Sequence, residues 1–271
     1  GFFPFLLYEK EGFFLKTILS TEHLSVSFGQ HDVIKNLNLS IPEKKLISII
    51  GPNGAGKTTL FNLLSGQLKP TKGEIYFKGE NVTGYSIPER TRLGIGRSFQ
   101  LTNIFPELPV IENIRLAVQA EQKDFFRFIP TKKKYLGQQE EARRLLNEVM
   151  LEGKDDVLAK DLAHGEKRKL ELAMLMALKT ELLLLDEPTA GISIEEVPGI
   201  LKVIEKIKMN GLSTIVLIEH KMDMVMHLSD QLAVLFHGEL LAEGSPSEIM
   251  QDERVQNAYL GGLYDDSLKS G

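Results

Sequence analysis

Gly51-Pro-Asn-Gly-Ala-Gly-Lys-Thr-Thr59 decides how this chain is read. The stretch follows the apolar run Leu46-Ile-Ser-Ile-Ile50 and precedes the helix-like Leu60-Phe-Asn-Leu-Leu64. A strand, a glycine loop and a helix start therefore come in the order that a phosphate cradle requires. The spacing is G-x-x-x-x-G-K-[ST], and each residue type has a mechanical reason to be there. Gly51, Gly54 and Gly56 let the backbone turn tightly and bring bare N–H groups within reach of phosphate oxygens. The following helix adds its positive dipole end. Lys57 supplies a point charge for the β and γ phosphates, and the Thr58 hydroxyl suits Mg²⁺, which takes few protein ligands. With glycine at about 7% of residues, a chance match in a chain this long has a probability on the order of 1%. Gly51, Pro52, Asn53, Gly54, Ala55, Gly56, Lys57, Thr58 and Thr59 are the candidate nucleotide-binding residues.

Working outward, 271 residues suffice for one α/β domain with an inserted subdomain. Lysine and arginine number 32 against 37 aspartates and glutamates, a formal net charge of −5, which gives no footprint for nucleic acid. The absence of cysteine excludes disulfides and thiol-based metal or redox chemistry. No uninterrupted apolar run approaches the roughly 18 residues that argue for a transmembrane helix. Residues 1–17 begin with an apolar stretch that lacks the basic region and small-residue cleavage pattern of a signal peptide. They read as an upstream extension, a docked strand or a non-native remnant.

From Ile18 to Phe28 and from Val33 to Ile41 the chain shows β-type segments around the turn-forming Gly29-Gln-His-Asp32. Gly73 to Gly79 alternates, with Ile75 and Phe77 on one face. These pieces predict an antiparallel sheet flanking the nucleotide core. Between about 84 and 178 the pattern turns mostly helical, with segments Pro88–Leu93, Val110–Ala120, Gln138–Met150 and Glu166–Leu178, and reads as a helical insertion. Three β-type runs follow, Glu181–Asp186, Ser213–Glu219 and Gln231–Phe236, alternating with helical stretches Glu195–Met209 and Lys221–Leu228. That alternation predicts a mostly parallel sheet, so the fold class is α/β.

Leu182-Leu-Leu-Leu-Asp-Glu187 is a buried-strand pattern ending in two carboxylates, where the C-terminal edge of a parallel sheet faces a bound phosphate. Asp186 can hold a water of the Mg²⁺ shell, and Glu187 can polarise a water for attack on the γ-phosphate.

From about Ile18 to Gly262 the chain resembles the ATP-binding subunit of ABC transporters, and that resemblance assigns further roles. Phe28 sits where the family carries an aromatic that stacks on adenine, although a place in the core is the alternative. Gln100, in Gly96-Arg-Ser-Phe-Gln100, matches the glutamine that joins core to helical subdomain and reaches Mg²⁺ and the attacking water. Ala163, His164, Gly165 and Glu166 occupy the signature that faces the nucleotide of a partner subunit. His220 matches the switch histidine that contacts the γ-phosphate. The implied cofactors are ATP and Mg²⁺, with Thr58, Gln100 and Asp186 on the metal.

Two departures matter. Ala163 and His164 replace the serine and first glycine of the common signature, and Ser193 stands where the loop after Glu187 normally ends in aspartate. The site that this chain completes on its partner is therefore expected to be altered. Gly94–Gln100, Leu101–Phe105, Glu112–Ile114, Leu217–His220, Met222–Met226 and Ala258–Gly261 look most like branched-chain amino-acid importers. Urea or short-amide importers, a lipid or lipopolysaccharide exporter, and a soluble mechanical ATPase are the alternatives. The resemblance implies transmembrane permease subunits, a second ATPase subunit and, indirectly, an extracytoplasmic solute-binding protein, with the chain on the cytoplasmic face of the membrane. Lys123–Tyr135 mixes aromatic and basic residues and suits either a membrane-proximal surface or a solvated loop. Residues 263–271 form a polar tail.

Overall fold

A computed structural model describes residues 8–10, 13–98, 104–122 and 132–258. Gln100, most of the 123–135 segment and the tail beyond 258 lie outside the described residues. In chain order the first elements are β1 (Tyr8–Lys10), β2 (Phe13–Leu15), β3 (Thr17–Phe28), β4 (His31–Pro42), β5 (Leu46–Ile50), α1 (Lys57–Ser65), β6 (Lys72–Phe77), β7 (Glu80–Asn81) and α2 (Ile87–Leu93). Next come β8 (Ile95–Arg97), α3 (Val110–Glu121), α4 (Lys132–Glu148), α5 (His164–Ala177), β9 (Leu182–Asp186) and α6 (Val197–Met209). The last are β10 (Thr214–Ile218), α7 (Met222–Leu228), β11 (Gln231–Phe236), β12 (Glu239–Gly244) and α8 (Pro246–Gln251). The chain divides into two compact units, one of residues 1–95 with 214–271 and one of residues 96–213.

In the first unit, β5 pairs in parallel with both β10 and β11, and β12 closes antiparallel on β11. All five residues of β5 and all five of β10 are buried, which is why both read as unbroken apolar runs rather than alternating ones. A second sheet runs β4-β3-β6-β7, antiparallel throughout. Its long hairpin turns at Gly29 and Gln30, and β4 starts at His31, two residues before the sequence pattern begins. The ladder is irregular between Thr21 and Leu24. There the buried Thr21 hydroxyl donates to the Leu37 carbonyl and accepts from the Leu39 N–H, both at 3.0 Å, so the backbone stays satisfied.

Helix α1 buries Leu60, Phe61, Leu63 and Leu64. Each such side chain contributes about 1.5–3 kcal/mol of transfer free energy, enough to anchor the loop that precedes it. The far end of α1 is held by Arg90 of α2, only 1% exposed. Its guanidinium donates to the carbonyls of Leu63 (2.8 Å) and Leu64 (2.7 Å), groups that a helix C-terminus otherwise leaves unpaired.

In the second unit α3, α4 and α5 form the helical part read from the sequence. Buried Arg115 of α3 bonds Glu112 of the same helix (2.8 Å) and Gln138 of α4 (3.2 Å), so a buried polar contact joins the two helices. The unit also contains β9 and α6, and strand β8 falls inside the stretch that reads as mostly helical. Three residues including a glycine are too short for any periodicity to declare them.

Candidate functional site

The glycine loop joins β5 to α1 in the first unit, and the helix starts at Lys57, three residues before the apolar pattern suggested. Gly51 is buried beneath the loop, Asn53, Gly54 and Thr58 are exposed at its mouth, and Lys57 is only 7% exposed. The Lys57 ammonium donates to the carbonyls of Gly51 (2.7 Å) and Pro52 (3.0 Å). The loop is thereby drawn around its own cation. Phe28, at the end of β3, is 54% exposed, which removes the core alternative and leaves a bare aromatic face.

His220 follows β10 and is exposed, just before α7. The neighbouring Glu219 is 5% exposed, and its carboxylate accepts the backbone N–H groups of His220 (2.9 Å) and Lys221 (3.3 Å). Glu219 thus fixes the backbone that carries the histidine. An acid at the start of a helix is the sequence signal that such a residue carries.

In the second unit Asp186 is the last residue of β9, and Glu187 follows with a positive φ of 46°. Left-handed backbone is uncommon for a residue with a side chain and concentrates at functional turns. The Asp186 carboxylate accepts from Arg97 at 2.7 Å, and its N–H donates to the Ser98 hydroxyl at 3.1 Å. Neither Arg97 nor Ser98 is marked by a local sequence pattern, because their partner lies on another strand.

Ala163 precedes α5, and the helix starts at His164, two residues earlier than the pattern suggested. Ala163 and His164 are exposed, and Gly165 is buried. The Ala163 N–H donates to the Glu166 carboxylate at 3.1 Å, and Lys154 pairs with the same group at 3.2 Å. Burial raises the Glu166 pKa, but the Ala163 N–H and the Lys154 ammonium outweigh it and hold the carboxyl below its ordinary value. Serine's capping oxygen is missing from position 163, and Glu166 takes over one half of that cap. Ser193 is exposed, with its hydroxyl donating to Glu196 at 3.3 Å.

The donor set fits a magnesium nucleotide. A loop with exposed N–H-bearing glycine, a buried lysine at its base and a hydroxyl at the second helical position suits phosphate. The Thr58 hydroxyl of the first unit and, taken by itself, the Asp186 carboxylate of the second are each hard oxygens of the kind that Mg²⁺ prefers. Among the described residues no helix is long and apolar enough to cross a membrane.

The ABC transporter profile matches residues 34–190, and a profile for the branched-chain amino acid ATP-binding cassette transporter matches residues 239–265. The high-affinity branched-chain amino acid transport ATP-binding protein LivG of Escherichia coli is 36% identical over 249 residues, covering 90% of this chain and 98% of LivG. BraF of Pseudomonas aeruginosa, with the same description, is 36% identical over 251 residues, covering 91% of this chain and 98% of BraF. The lipopolysaccharide export ATP-binding protein LptB of Haemophilus influenzae is 31% identical over 245 residues, covering 90% of this chain and 98% of LptB. Among solved structures, the ADP conformation of an ATP-binding cassette of an ABC transporter superposes with a TM-score of 0.76 at 28% identity. That comparison covers 90% of this chain and 99% of the other. With a family profile running from β4 past the acidic pair, and ATP-binding proteins aligned along nine-tenths of its length, the chain belongs to the ABC transporter family as an ATPase cassette.

Proposed function

We propose that this cassette hydrolyses ATP with Mg²⁺ to drive import of branched-chain amino acids, bound to permease subunits at the cytoplasmic face of the membrane. The carrying observation is the match of residues 239–265 to the branched-chain amino acid cassette profile, beside the 36% identity to LivG and BraF. LptB is described as an export protein, and its identity of 31% is lower.

Lys57 gives up the carbonyls of Gly51 and Pro52 for the β and γ phosphates, which are better acceptors because they are charged. Phe28 stacks beneath adenine. Thr58, Asp186 and Gln100 would hold Mg²⁺, which would neutralise charge on the phosphate oxygens. Glu187 orients and polarises the attacking water and takes its proton, while His220 donates to the γ-phosphate. Ala163, His164, Gly165 and Glu166 face the nucleotide of a second cassette, and closure of the pair on ATP supplies the differential affinity that shifts the permease. The second cassette is a different ATPase subunit, and an extracytoplasmic binding protein delivers the solute to the permease.

Glu187→Gln is expected to keep ATP affinity while turnover falls by about 100-fold or more, the usual contribution of a general base. Turnover near the parent's would reject Glu187 as that group. Capture of this variant with ATP from detergent-solubilised membranes of the source organism, followed by mass spectrometry, tests the transport assignment. Two permeases of amino-acid importers with a second cassette are expected; lipopolysaccharide-export permeases would overturn the import reading.

A further inference from the structure

We propose that Arg97 is a positioning residue that restrains Asp186 and sets the Mg²⁺ concentration at which the cassette loads its nucleotide. The inference rests on the reading of Asp186 as a magnesium carboxylate. Arg97 is the last residue of β8 and Asp186 the last of β9, so both side chains leave neighbouring strands at the same end. The Arg97 Nη2 to Asp186 Oδ2 distance is 2.7 Å, with the side chains 5% and 17% exposed. A charge-assisted bond of that length, largely shielded from water, resists replacement far more than a surface pair does.

The two strand ends are fixed to each other by more than the ion pair. Ser98 N–H donates to the Leu184 carbonyl at 2.9 Å, and the Ser98 hydroxyl accepts from Asp186 N–H at 3.1 Å. Behind them Gly96 lies so close to Thr180 that a Cβ at 96 would stand 2.9 Å from the threonine methyl. The guanidinium therefore cannot drift away from Asp186 with its backbone. It has two effects on a cation approaching that carboxylate. It occupies Oδ2, which has to be shared or released, and its positive charge opposes a second one nearby. Holding the carboxylate in a single orientation is the compensating benefit, because an acid fixed in place loses no rotamer freedom when metal arrives.

Equilibrium binding of a fluorescent ATP analogue, titrated with Mg²⁺, tests this in the full chain, with the same titration in EDTA as reference. Arg97→Gln is expected to lower the half-saturating Mg²⁺ about tenfold, the equivalent of one charge-assisted hydrogen bond, while affinity in EDTA stays within about twofold. Arg97→Lys keeps the charge and is expected to stay within about threefold of the parent. An unchanged or raised half-saturation in folded Arg97→Gln overturns the proposal. Asp186→Asn separates the underlying reading: if it leaves the Mg²⁺ dependence untouched, Asp186 is not the magnesium carboxylate and both ideas fall together. If Asp186→Asn weakens the Mg²⁺ response and Arg97→Gln does not strengthen it, only the Arg97 role is lost. Should Arg97→Gln not fold, guanidinium NMR of the parent decides. The Arg97 Nε–H signal is expected to shift when Mg²⁺ is added to the nucleotide-bound chain, and a signal indifferent to Mg²⁺ overturns the proposal.

Discussion

Replacing Gly51 by alanine tests how the nucleotide loop is seated. At this position φ is +155°, and an added Cβ would lie 2.1 Å from the Leu235 carbonyl oxygen. Ordinary contact begins near 3.4 Å, so the two backbones would have to part by about 1.3 Å. They cannot do so cheaply, because β5 and β11 are hydrogen-bonded in register, with Val234 opposite Ile50 immediately before the loop. An overlap of this size costs about 3 kcal/mol, the upper end of overpacking, and a side chain in unfavourable backbone a further ~1 kcal/mol, giving about 4 kcal/mol in total. At about 2–4 °C per kcal/mol the melting temperature should fall by roughly 8–16 °C. Gly54 is the control. Its φ is +78°, and no described atom lies within 4 Å of an added Cβ, so only the backbone term applies. Gly54→Ala should lose about 1 kcal/mol and roughly 2–4 °C. Thermal unfolding of both variants without nucleotide, followed by circular dichroism, reads the difference. Melting of Gly51→Ala within about 3 °C of Gly54→Ala would refute the argument that β11 forms the floor of the loop.

Other perturbations reach the site and its supports. Lys57→Ala should raise the Kd for ATP by about 100-fold, as a charge-assisted contact is lost where the buried ammonium stood; equilibrium dialysis giving an unchanged Kd would remove Lys57 from the phosphate site. Phe28→Ala should weaken ATP binding about fivefold to tenfold, the worth of one stacked ring, with triphosphate alone bound as before. Equal weakening for both ligands would mean that Phe28 does not meet the base. Burial pushes the Glu171 carboxyl of α5 from 4.5 to about 7, against the opposing pull of Arg168. Because the folded value is raised, the native chain holds a proton that the unfolded chain has released within that window. Stability therefore falls as pH rises from about 4.5 to 7 and levels off above it. Glu171→Gln should flatten that slope in urea unfolding, and an unchanged slope would assign the pH dependence elsewhere.

What could be read in advance divides along physical lines. The glycine loop declares itself because its chemistry lies within nine consecutive residues, and β5, β9, β10 and β11 do because burial along their central residues makes each an apolar run. Strand β12 does not: Glu239-Leu-Leu-Ala-Glu-Gly244 is composed largely of good helix formers, and it is extended because it pairs with β11. Helix α8 carried a readable sign in Ser245, whose hydroxyl accepts from the Glu248 N–H at 3.3 Å in a capping box. The Arg97 to Asp186 pair joins residues 89 positions apart, and no local pattern can announce such a partnership. Gln100, which the family resemblance places on the metal, lies outside the described residues.

Glu187 stands in left-handed backbone, with φ at 46°. Glutamate tolerates that conformation at a cost of about 1–2 kcal/mol that glycine avoids and asparagine reduces. A variant library sorted for heat resistance alone would therefore enrich glycine or asparagine at position 187, discarding the carboxylate while improving the score. With Glu187 as the proposed base, thermal screening of this cassette and selection for work done by it should pull the same residue in opposite directions.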